Sequence, residues 1–156
     1  MKKKFICIVA LFATLAMGLV SCEKEAPEEK IADTIVGSWK ISQATASYRL
    51  LGKTETEKTP LNNETLQAIF GSTTFTFDDY DTTVGSGKMS TNGKETGTYT
   101  ISEDGKYLTM YIAGKVPFTN EIKSLTKKQM ELSLTAAVPV LGLDISASVS
   151  LILNRQ

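Results

Sequence analysis

The sequence predicts an all-β fold, an antiparallel up-and-down barrel of eight strands with one short helix between the first two strands. From residue 35 onward, apolar and polar residues alternate over short segments that recur every 8–12 residues. Such alternation is typical of strands with one buried side and one solvent-facing side. Turn signals separate the segments, and no long crossover lies between them. Closure of the sheet removes its exposed edges, and eight strands enclose room for side chains or one small ligand.

The strands can be placed in order from their apolar positions. The first strand is predicted to place Trp39, Ile41, Gln43 and Thr45 on its inner side. A Gly-rich strand is predicted near residues 83–90. The other inner rows are Phe75 and Phe77; Gly97, Tyr99 and Ile101; Leu108, Met110 and Ile112; Val116, Phe118, Asn120 and Ile122; Met130, Leu132 and Leu134; and every second residue from Leu143 to Leu153. The predicted turns are Asp79-Tyr80-Asp81, Asn92-Gly93 and Glu103-Asp104-Gly105. These are the residue types that tight turns favour.

One segment breaks the alternation and predicts a short helix over residues 60–71. Asn62 or Asn63 is suited to cap its N-terminus, and Gly71 is suited to end it. The predicted apolar side consists of Leu66, Ile69 and Phe70. The preceding segment, residues 49–59, is polar and is predicted to be a loop.

The N-terminus is predicted to be a secretory signal that ends at a lipidation site. Three lysines, residues 2–4, precede an apolar run over residues 5–20, and Ser21 and Cys22 follow. This order is typical of a signal peptide, and the run is shorter than the roughly 20 residues of a membrane span. Residues 19–22, Leu-Val-Ser-Cys, resemble the bacterial lipobox, which implies removal of residues 1–21 and acylation of Cys22. The alternative is an ordinary signal peptide with a chance cysteine nearby.

An acidic tether is predicted between this anchor and the barrel. The chain then divides into the signal (1–21), a flexible tether (22–34) and the barrel domain (35–156). Residues 23–33 are charged and offer little to bury, a composition that predicts disorder. The anchor implies the outer membrane of a Gram-negative cell envelope, at its periplasmic face or the cell surface. Glu23 and Glu25 loosely resemble an export signal for the outer surface, and a plain linker is the alternative.

The residue inventory excludes several classes of chemistry. There is no histidine, and the two cysteines are Cys7, within the signal, and Cys22. Neither a His-dependent catalytic site nor the usual zinc site can therefore be assembled. No acidic residue falls on a predicted inner row, which argues against a carboxylate enzyme. We expect no enzymatic activity, no cofactor and no metal.

Charge argues against a nucleic-acid partner. Of the 17 Lys and Arg residues, three leave with the signal, whereas all 17 Asp and Glu residues remain. The domain is then net acidic, and a nucleic-acid interface needs a basic face.

Two acidic turns remain as candidates for calcium. Asp78, Asp79 and Asp81 lie in one, and Glu103 and Asp104 lie in the other. Neither has the spaced ligands of a twelve-residue calcium loop. Turn chemistry explains Asp at these positions without a metal.

Two motifs at the ends of the barrel sequence identify a family resemblance. Gly37-Ser-Trp39 opens the first strand, and Arg155 follows the last one. They resemble the Gly-x-Trp motif and the C-terminal Arg of the lipocalins, which implies that Trp39 closes one barrel end with Arg155 against its ring. Three further motifs resemble bacterial lipocalin-like lipoproteins: Phe75-Thr-Phe77, Gly97-Thr-Tyr99-Thr-Ile101 and Leu108-Thr-Met110. The resemblance covers nearly all of residues 35–156. The helix after the first strand and the missing large C-terminal helix depart from animal lipocalins.

The inward rows of aromatic and aliphatic residues, interrupted by Gly and two amides, predict a membrane-anchored binding protein for a small apolar or amphipathic ligand. The resemblance supports the architecture, because lipocalin-like domains share architecture and not ligand. The candidate ligand-lining residues are Gln43, Phe75, Phe77, Tyr99, Met110, Phe118 and Asn120. The two amides either orient a ligand or are satisfied by each other, by backbone or by water. The alternative is a filled barrel that serves as a structural or interaction module. Its contacts to another envelope protein would be the apolar stretch Val138–Leu143 and the outward Tyr111.

Replacing Cys22 by Ala is expected to release the protein into the soluble periplasmic fraction, because the variant has no thiol to acylate. Each buried methylene of an acyl chain contributes about 0.8 kcal/mol to membrane binding. Fractionation of membranes from soluble material measures the change. Cys7→Ala is the matched control and is expected to stay with the membrane. Equal membrane retention of both variants would contradict lipidation at Cys22.

Overall fold

The structure is a computed structural model that describes residues 27–48, 56–140 and 143–156. The predicted signal, the lipidation site at Cys22 and the first residues of the predicted tether lie outside these ranges. Among the described residues, no helix combines the length and apolarity that a bilayer crossing requires.

Nine strands and two helices make up the described fold. The helices are α1 (Pro27–Ile35) and α2 (Asn63–Phe70). The strands are β1 (Gly37–Tyr48), β2 (Glu57–Pro60), β3 (Thr74–Asp81), β4 (Ser86–Thr91), β5 (Lys94–Ile101), β6 (Tyr107–Ile112), β7 (Phe118–Leu125), β8 (Gln129–Val140) and β9 (Leu143–Arg155).

Eight of the strands form a closed antiparallel barrel, which confirms the predicted fold class. From β3 onward each strand pairs with the next, β3 pairs with β1, and β9 returns to pair with the other edge of β1. The β1–β9 ladder runs from Trp39↔Arg155 to Tyr48↔Ala147. The short strand β2 pairs with the second half of β1, beyond the part that pairs with β3. The loop predicted over residues 49–59 is therefore wrong for its last residues, which belong to β2.

The predicted inner rows form most of the core. On β6, Leu108, Met110 and Ile112 are buried, whereas Tyr107 and Tyr111 on the opposite face are 45% and 44% exposed. This is the alternation expected of a strand with one wet face. The prediction for Val116 is wrong. It precedes β7 in a turn and is 78% exposed.

Helix α1 overturns the predicted flexible tether over residues 27–34. Ala32 and Ile35 are buried, at 4% and 0% exposure, and Ile31 packs against the same core. The spacing i, i+1, i+4 places these residues on one helical face. Pro27 and the two glutamates after it are favourable at a helix N-terminus. The domain thus begins at α1, eight residues before the predicted boundary.

Helix α1 crosses one end of the barrel. It contacts β3, β5 and β7, which are spaced two strands apart around the barrel. A helix that touches all three must lie across the opening. We call this end the α1 end and the opposite end the α2 end.

Helix α2 is the helix predicted from residues 60–71, and its caps are the predicted ones. Asn62 Oδ1 accepts a hydrogen bond from the Thr65 amide at 2.8 Å. Gly71 ends the helix with φ 76°, a conformation that costs glycine little, and its amide donates to the Gln67 carbonyl. Leu66 and Phe70 are its buried residues.

The acidic turns are explained by hydrogen bonds to nearby groups. β3 continues through Asp81, so the predicted turn at 79–81 is displaced to residues 82–85. Asp81 Oδ1 accepts from the Thr83 amide at 2.8 Å. Hydrogen bonds from the Ser102 hydroxyl and then the Lys106 amide lower the pKa of Asp104. Among the described residues, no three acidic, Cys or His side chains converge as metal ligands would.

Replacing Ile35 by Ala tests whether α1 is part of the folded domain. The side chain is fully buried, so the free energy of unfolding is expected to fall by about 2–5 kcal/mol. Urea denaturation followed by Trp fluorescence measures the change. Val116→Ala is the exposed control and is expected to shift stability by no more than about 0.5 kcal/mol. An Ile35→Ala midpoint equal to that of the control would show that α1 is not docked.

Candidate functional site

The barrel interior changes from fully buried to partly exposed at the same level on three adjacent strands. The last buried inward residues are Leu132 of β8, Leu151 of β9 and Ala44 of β1. The next inward residues toward the α2 end are only partly buried, and they are Leu134, Val149 and Ala46. The interior is therefore accessible from the α2 end along β8, β9 and β1.

These partly buried residues continue a row that begins at Asn120 on β7. Leu134 pairs with Val149, and Val149 pairs with Ala46. Asn120 stands opposite Leu134, one position beyond the pair Glu121↔Ser133. Neighbouring strands lie about 4.8 Å apart, so adjacent side chains in such a row touch. We call Asn120, Leu134, Val149 and Ala46 the mouth row.

Small side chains make the β1–β9 wall of this region open. Ala44 and Ala46 follow each other on the inner face of β1, and Ala147 is the next inward residue of β9 after Val149. A methyl group leaves space that a larger aliphatic or aromatic side chain would fill. This wall can therefore contact an apolar molecule. Tyr48, which pairs with Ala147, is the next inward residue of β1 and adds an aromatic ring with a hydroxyl at the outer end of the wall.

Helix α2 lies over the same end of the barrel. Its Phe70 ring is fully buried and contacts Phe75 of β3 at 6.4 Å and Phe118 of β7 at 5.1 Å between centroids. β3 and β7 are four strands apart in the eight-stranded barrel, so Phe70 bridges opposite walls. Lys115 Nζ donates to the Ala68 carbonyl at 2.7 Å and ties the β6–β7 turn to the helix.

Asn120 is the polar member of the mouth row and is 0% exposed. Its Nδ2 donates to the Phe118 carbonyl at 3.2 Å and to the Leu108 carbonyl at 3.4 Å. Its Oδ1 accepts no hydrogen bond from any residue that the structure describes. Of the alternatives considered for this amide, backbone carbonyls satisfy its nitrogen, and no hydrogen bond to Gln43 occurs among these contacts.

Gln43 is not an inner residue, which corrects the prediction. A register shift between Ile41 and Gln43 in the β1–β9 ladder marks a β-bulge. The extra residue reverses the alternation, so Gln43 pairs with Ile152 and is exposed, while Ala44 is buried. Thr45, also predicted inward, turns outward for the same reason.

Three other predicted lining residues belong to a filled part of the core. Phe77, Tyr99 and Met110 are 1%, 0% and 1% exposed. The Phe77 and Tyr99 rings pack edge to face at 5.0 Å, and the Tyr99 hydroxyl donates to the Asp78 carbonyl at 2.6 Å. Burial, and then the nearby Tyr80, raises the pKa of Tyr99 well above its ordinary value. Of the predicted lining residues, only Phe118 and Asn120 border the accessible region. Phe75 is buried and contacts Phe70.

Trp39 and Arg155 close the α1 end in the arrangement that the resemblance implies. The Arg155 guanidinium lies 4.5 Å from the centroid of the buried Trp39 ring. Its Nη1 and Nη2 donate to the carbonyls of Val36 and Thr34 at 2.7 and 2.5 Å. The Trp39 indole donates to the Ile35 carbonyl at 2.7 Å. The pair thereby joins the end of α1 to both β1 and β9.

Gly37 is required beside this pair. Its φ is 126°, which L side chains rarely adopt, and an added Cβ would fall 2.5 Å from Arg155 Nη1. The first position of the Gly-x-Trp motif is thus explained by the space that the guanidinium needs.

An open depression of about 470 Å³ lies beside the guanidinium, lined by Asp33, Thr34, Lys127 and Arg155. It is a wide surface feature of mixed charge. Both terminal nitrogens of Arg155 are already engaged with backbone carbonyls. The arrangement stabilises the α1 end.

The mouth row was only partly recognisable in the sequence. Leu134 and Val149 belong to predicted inner rows, but their alternation is indistinguishable from that of buried neighbours. Ala44 and Ala46 were missed because the bulge that turns them inward leaves no mark in the apolar pattern. A small-residue repeat, Ala-Thr-Ala over residues 44–46, was the available signal.

Comparison with known proteins identifies a family that the chain matches. A family described as a lipocalin-like domain matches residues 35–132. Among solved structures, a deswapped triple mutant of bovine odorant binding protein is similar with a TM-score of 0.41 and 13% identity. That match covers 79% of this chain and 74% of the other. No curated protein matches the chain by sequence.

Replacing Arg155 by Met is expected to lower the free energy of unfolding by about 2–4 kcal/mol. The variant loses the contact with the Trp39 ring and leaves the carbonyls of Thr34 and Val36 unpaired. Urea denaturation measures the loss. Lys127→Met is the matched control, since it removes a charge from the same depression without a contact to Trp39, and it is expected to be near neutral. Equal stability of the two variants would contradict this role of Arg155.

Proposed function

The chain belongs to the lipocalin-like domain family, and from that premise we propose that it is a non-enzymatic binding protein for one small, mainly apolar ligand at the α2 end of its barrel. The mouth row carries the proposal. Its apolar members face the interior and are partly exposed, whereas the inward residues one step deeper are buried. Apolar side chains inside a barrel mouth are the lining that such ligand sites use.

The size of the ligand follows from where the core is filled. Phe77, Tyr99 and Met110 fill the interior along β3, β5 and β6 and are fully buried. A ligand is therefore held against the alanines of β1 and the aliphatic residues of β8 and β9. Phe70 and Phe118 supply the opposite apolar surface. The proposal is a ligand of roughly one short alkyl chain or one ring system.

We propose in addition that the protein is anchored by an acylated Cys22 in the outer membrane of a Gram-negative cell envelope. The lipobox-like residues 19–22 support this part of the proposal. Helix α1 begins at Pro27, so only four residues separate Cys22 from the folded domain. In the proposed setting the barrel sits close to the membrane surface, where apolar molecules concentrate.

One observation favours the alternative, a structural or interaction module. Four of the predicted lining residues, Phe75, Phe77, Tyr99 and Met110, are at most 1% exposed and pack within the core. The outward Tyr111 is 44% exposed on the barrel surface. The side chains of residues 138–143 lie outside the described part. A protein partner recovered with the lipidated domain, and no small molecule, would favour this reading.

Native mass spectrometry of the protein purified from its own envelope tests the binding proposal directly. A retained small molecule with a mass in the range of a short lipid-like compound is the expected result. Denaturation of the same sample must remove the added mass. A single ligand-free species that also fails to bind N-phenyl-1-naphthylamine would overturn the proposal.

Replacing Ala46 by Phe is expected to weaken binding of N-phenyl-1-naphthylamine at least tenfold, because the larger side chain fills the space beside Val149 and Leu134. Thr45→Phe is the matched control, since the adjacent side chain faces outward, and it is expected to bind as the wild type does. Fluorescence titration measures both affinities, with circular dichroism to verify folding. Equal affinities of the two variants would place the bound probe elsewhere.

A further inference from the structure

We propose that Asn120 selects the ligand by accepting a hydrogen bond from it, so that the site takes a neutral amphipathic molecule with a hydroxyl donor. The inference rests on the proposed function and specifies the chemistry of its ligand. A purely apolar compound and a fatty-acid carboxylate are then both poor ligands.

The orientation of the Asn120 amide is fixed by two contacts on one side. Nδ2 donates to the carbonyls of Leu108 and Phe118, on β6 and β7. A carbonyl can only accept, so the nitrogen of the amide must face these two oxygens and the amide cannot be reversed. Oδ1 is therefore turned away from these two carbonyl oxygens.

The Oδ1 atom is a buried acceptor with no donor from the described residues. Buried polar atoms in folded proteins are almost always hydrogen-bonded, because leaving one unpaired costs free energy. The inward side chains that flank Asn120 along β7 and on the neighbouring strands are Phe118, Ile122, Leu108 and Leu134. None of them has a donor. The described part of the chain thus places an acceptor inside an apolar region without supplying its partner.

The position of this acceptor suits a ligand that reaches it from the α2 end. Asn120 is fully buried, while Leu134, Val149 and Ala46 in the same row are partly exposed. A molecule whose apolar part lies on these three residues brings one end to Oδ1. The hydrogen bond then fixes which end of the molecule enters first.

The chemistry of the donor can be narrowed further. An ionised carboxylate has only acceptors and would face Oδ1 with lone pairs on both sides. A protonated amine could donate, but its charge would be buried with no acidic side chain among the mouth row to pair with it. A neutral hydroxyl donates one hydrogen bond and carries no charge. The favoured class is an alcohol with one short alkyl chain or ring system, or another small hydroxyl-bearing molecule.

Two isomeric probes isolate this hydrogen bond. Decan-1-ol and 1-methoxynonane have the same atoms and similar shape, but only the alcohol has a donor. Displacement of N-phenyl-1-naphthylamine from the full chain carrying Cys22→Ala gives both affinities without competition from the attached lipid. The alcohol is expected to bind roughly three- to tenfold more tightly, as one neutral hydrogen bond predicts. Decanoate is expected to bind more weakly than either probe.

Variants assign the preference to Asn120. Asn120→Leu is nearly the same size and is expected to bind the ether at least as well as before while the preference for the alcohol disappears. Asn154→Leu is the control, because Asn154 is exposed on β9 and bonds to Gln129, and it is expected to keep the preference. Circular dichroism verifies folding. The comparison of the alcohol with the ether on the chain that carries only Cys22→Ala still tests the proposal if an Asn120 variant does not fold.

The outcomes separate this inference from the proposed function. Ether binding equal to or tighter than alcohol binding, with both probes displacing the dye, overturns the role of Asn120 and leaves a binding barrel. A preference that persists in Asn120→Leu overturns it as well. A chain that binds neither the dye nor either probe overturns both proposals.

Discussion

The ladder between β1 and β9 is the constraint on which the rest of the structure depends. It joins the first and last strands of the domain from Trp39↔Arg155 to Tyr48↔Ala147, and without it the sheet would have two open edges. The paired strands lie more than a hundred residues apart in the chain, so ordering the intervening loops costs conformational entropy. Burial of the inward rows offsets that cost only when the sheet is closed, because closure gives those rows one common interior.

The two ends of the barrel are built from the same strand by different chemistry. At the α1 end, β1 contributes Trp39, which is enclosed by Arg155 and by the C-terminal residue of α1, Ile35. At the α2 end it contributes Ala44 and Ala46, which leave space beside Val149, and then Tyr48. The bulge between Ile41 and Gln43 separates the two parts. Without that extra residue Gln43 and Thr45 would face inward, and the mouth would have a polar wall. One irregularity in the ladder therefore gives the candidate site its apolar character.

Much of the fold could be predicted because its signals are local. The caps of α2, Asn62 and Gly71, act within a few residues of themselves, and the alternation on β6 and β9 follows from the two-residue period of a strand. Helix α1 could not be predicted from its charged composition, since its few apolar residues are stabilised by the barrel end on which they pack. Strand β2 was missed for a similar reason. It is four residues long and forms against the free edge of β1.

The sequence by itself determined the barrel class, the order of its eight strands and the helix α2. Each of these depends on residue type and short-range spacing, which are written directly in the chain, whereas the Trp39–Arg155 pair was implied by the family resemblance. Only the tertiary structure decided which inward residues are core and which are accessible. Leu132 and Leu134 have the same side chain and the same alternation, yet one is buried and the other is partly exposed. That difference depends on strands and a helix from distant parts of the chain, and on a bulge that changes the facing of β1. The unpaired oxygen of Asn120 is likewise a property of its surroundings, because the sequence shows an amide but not which groups surround it.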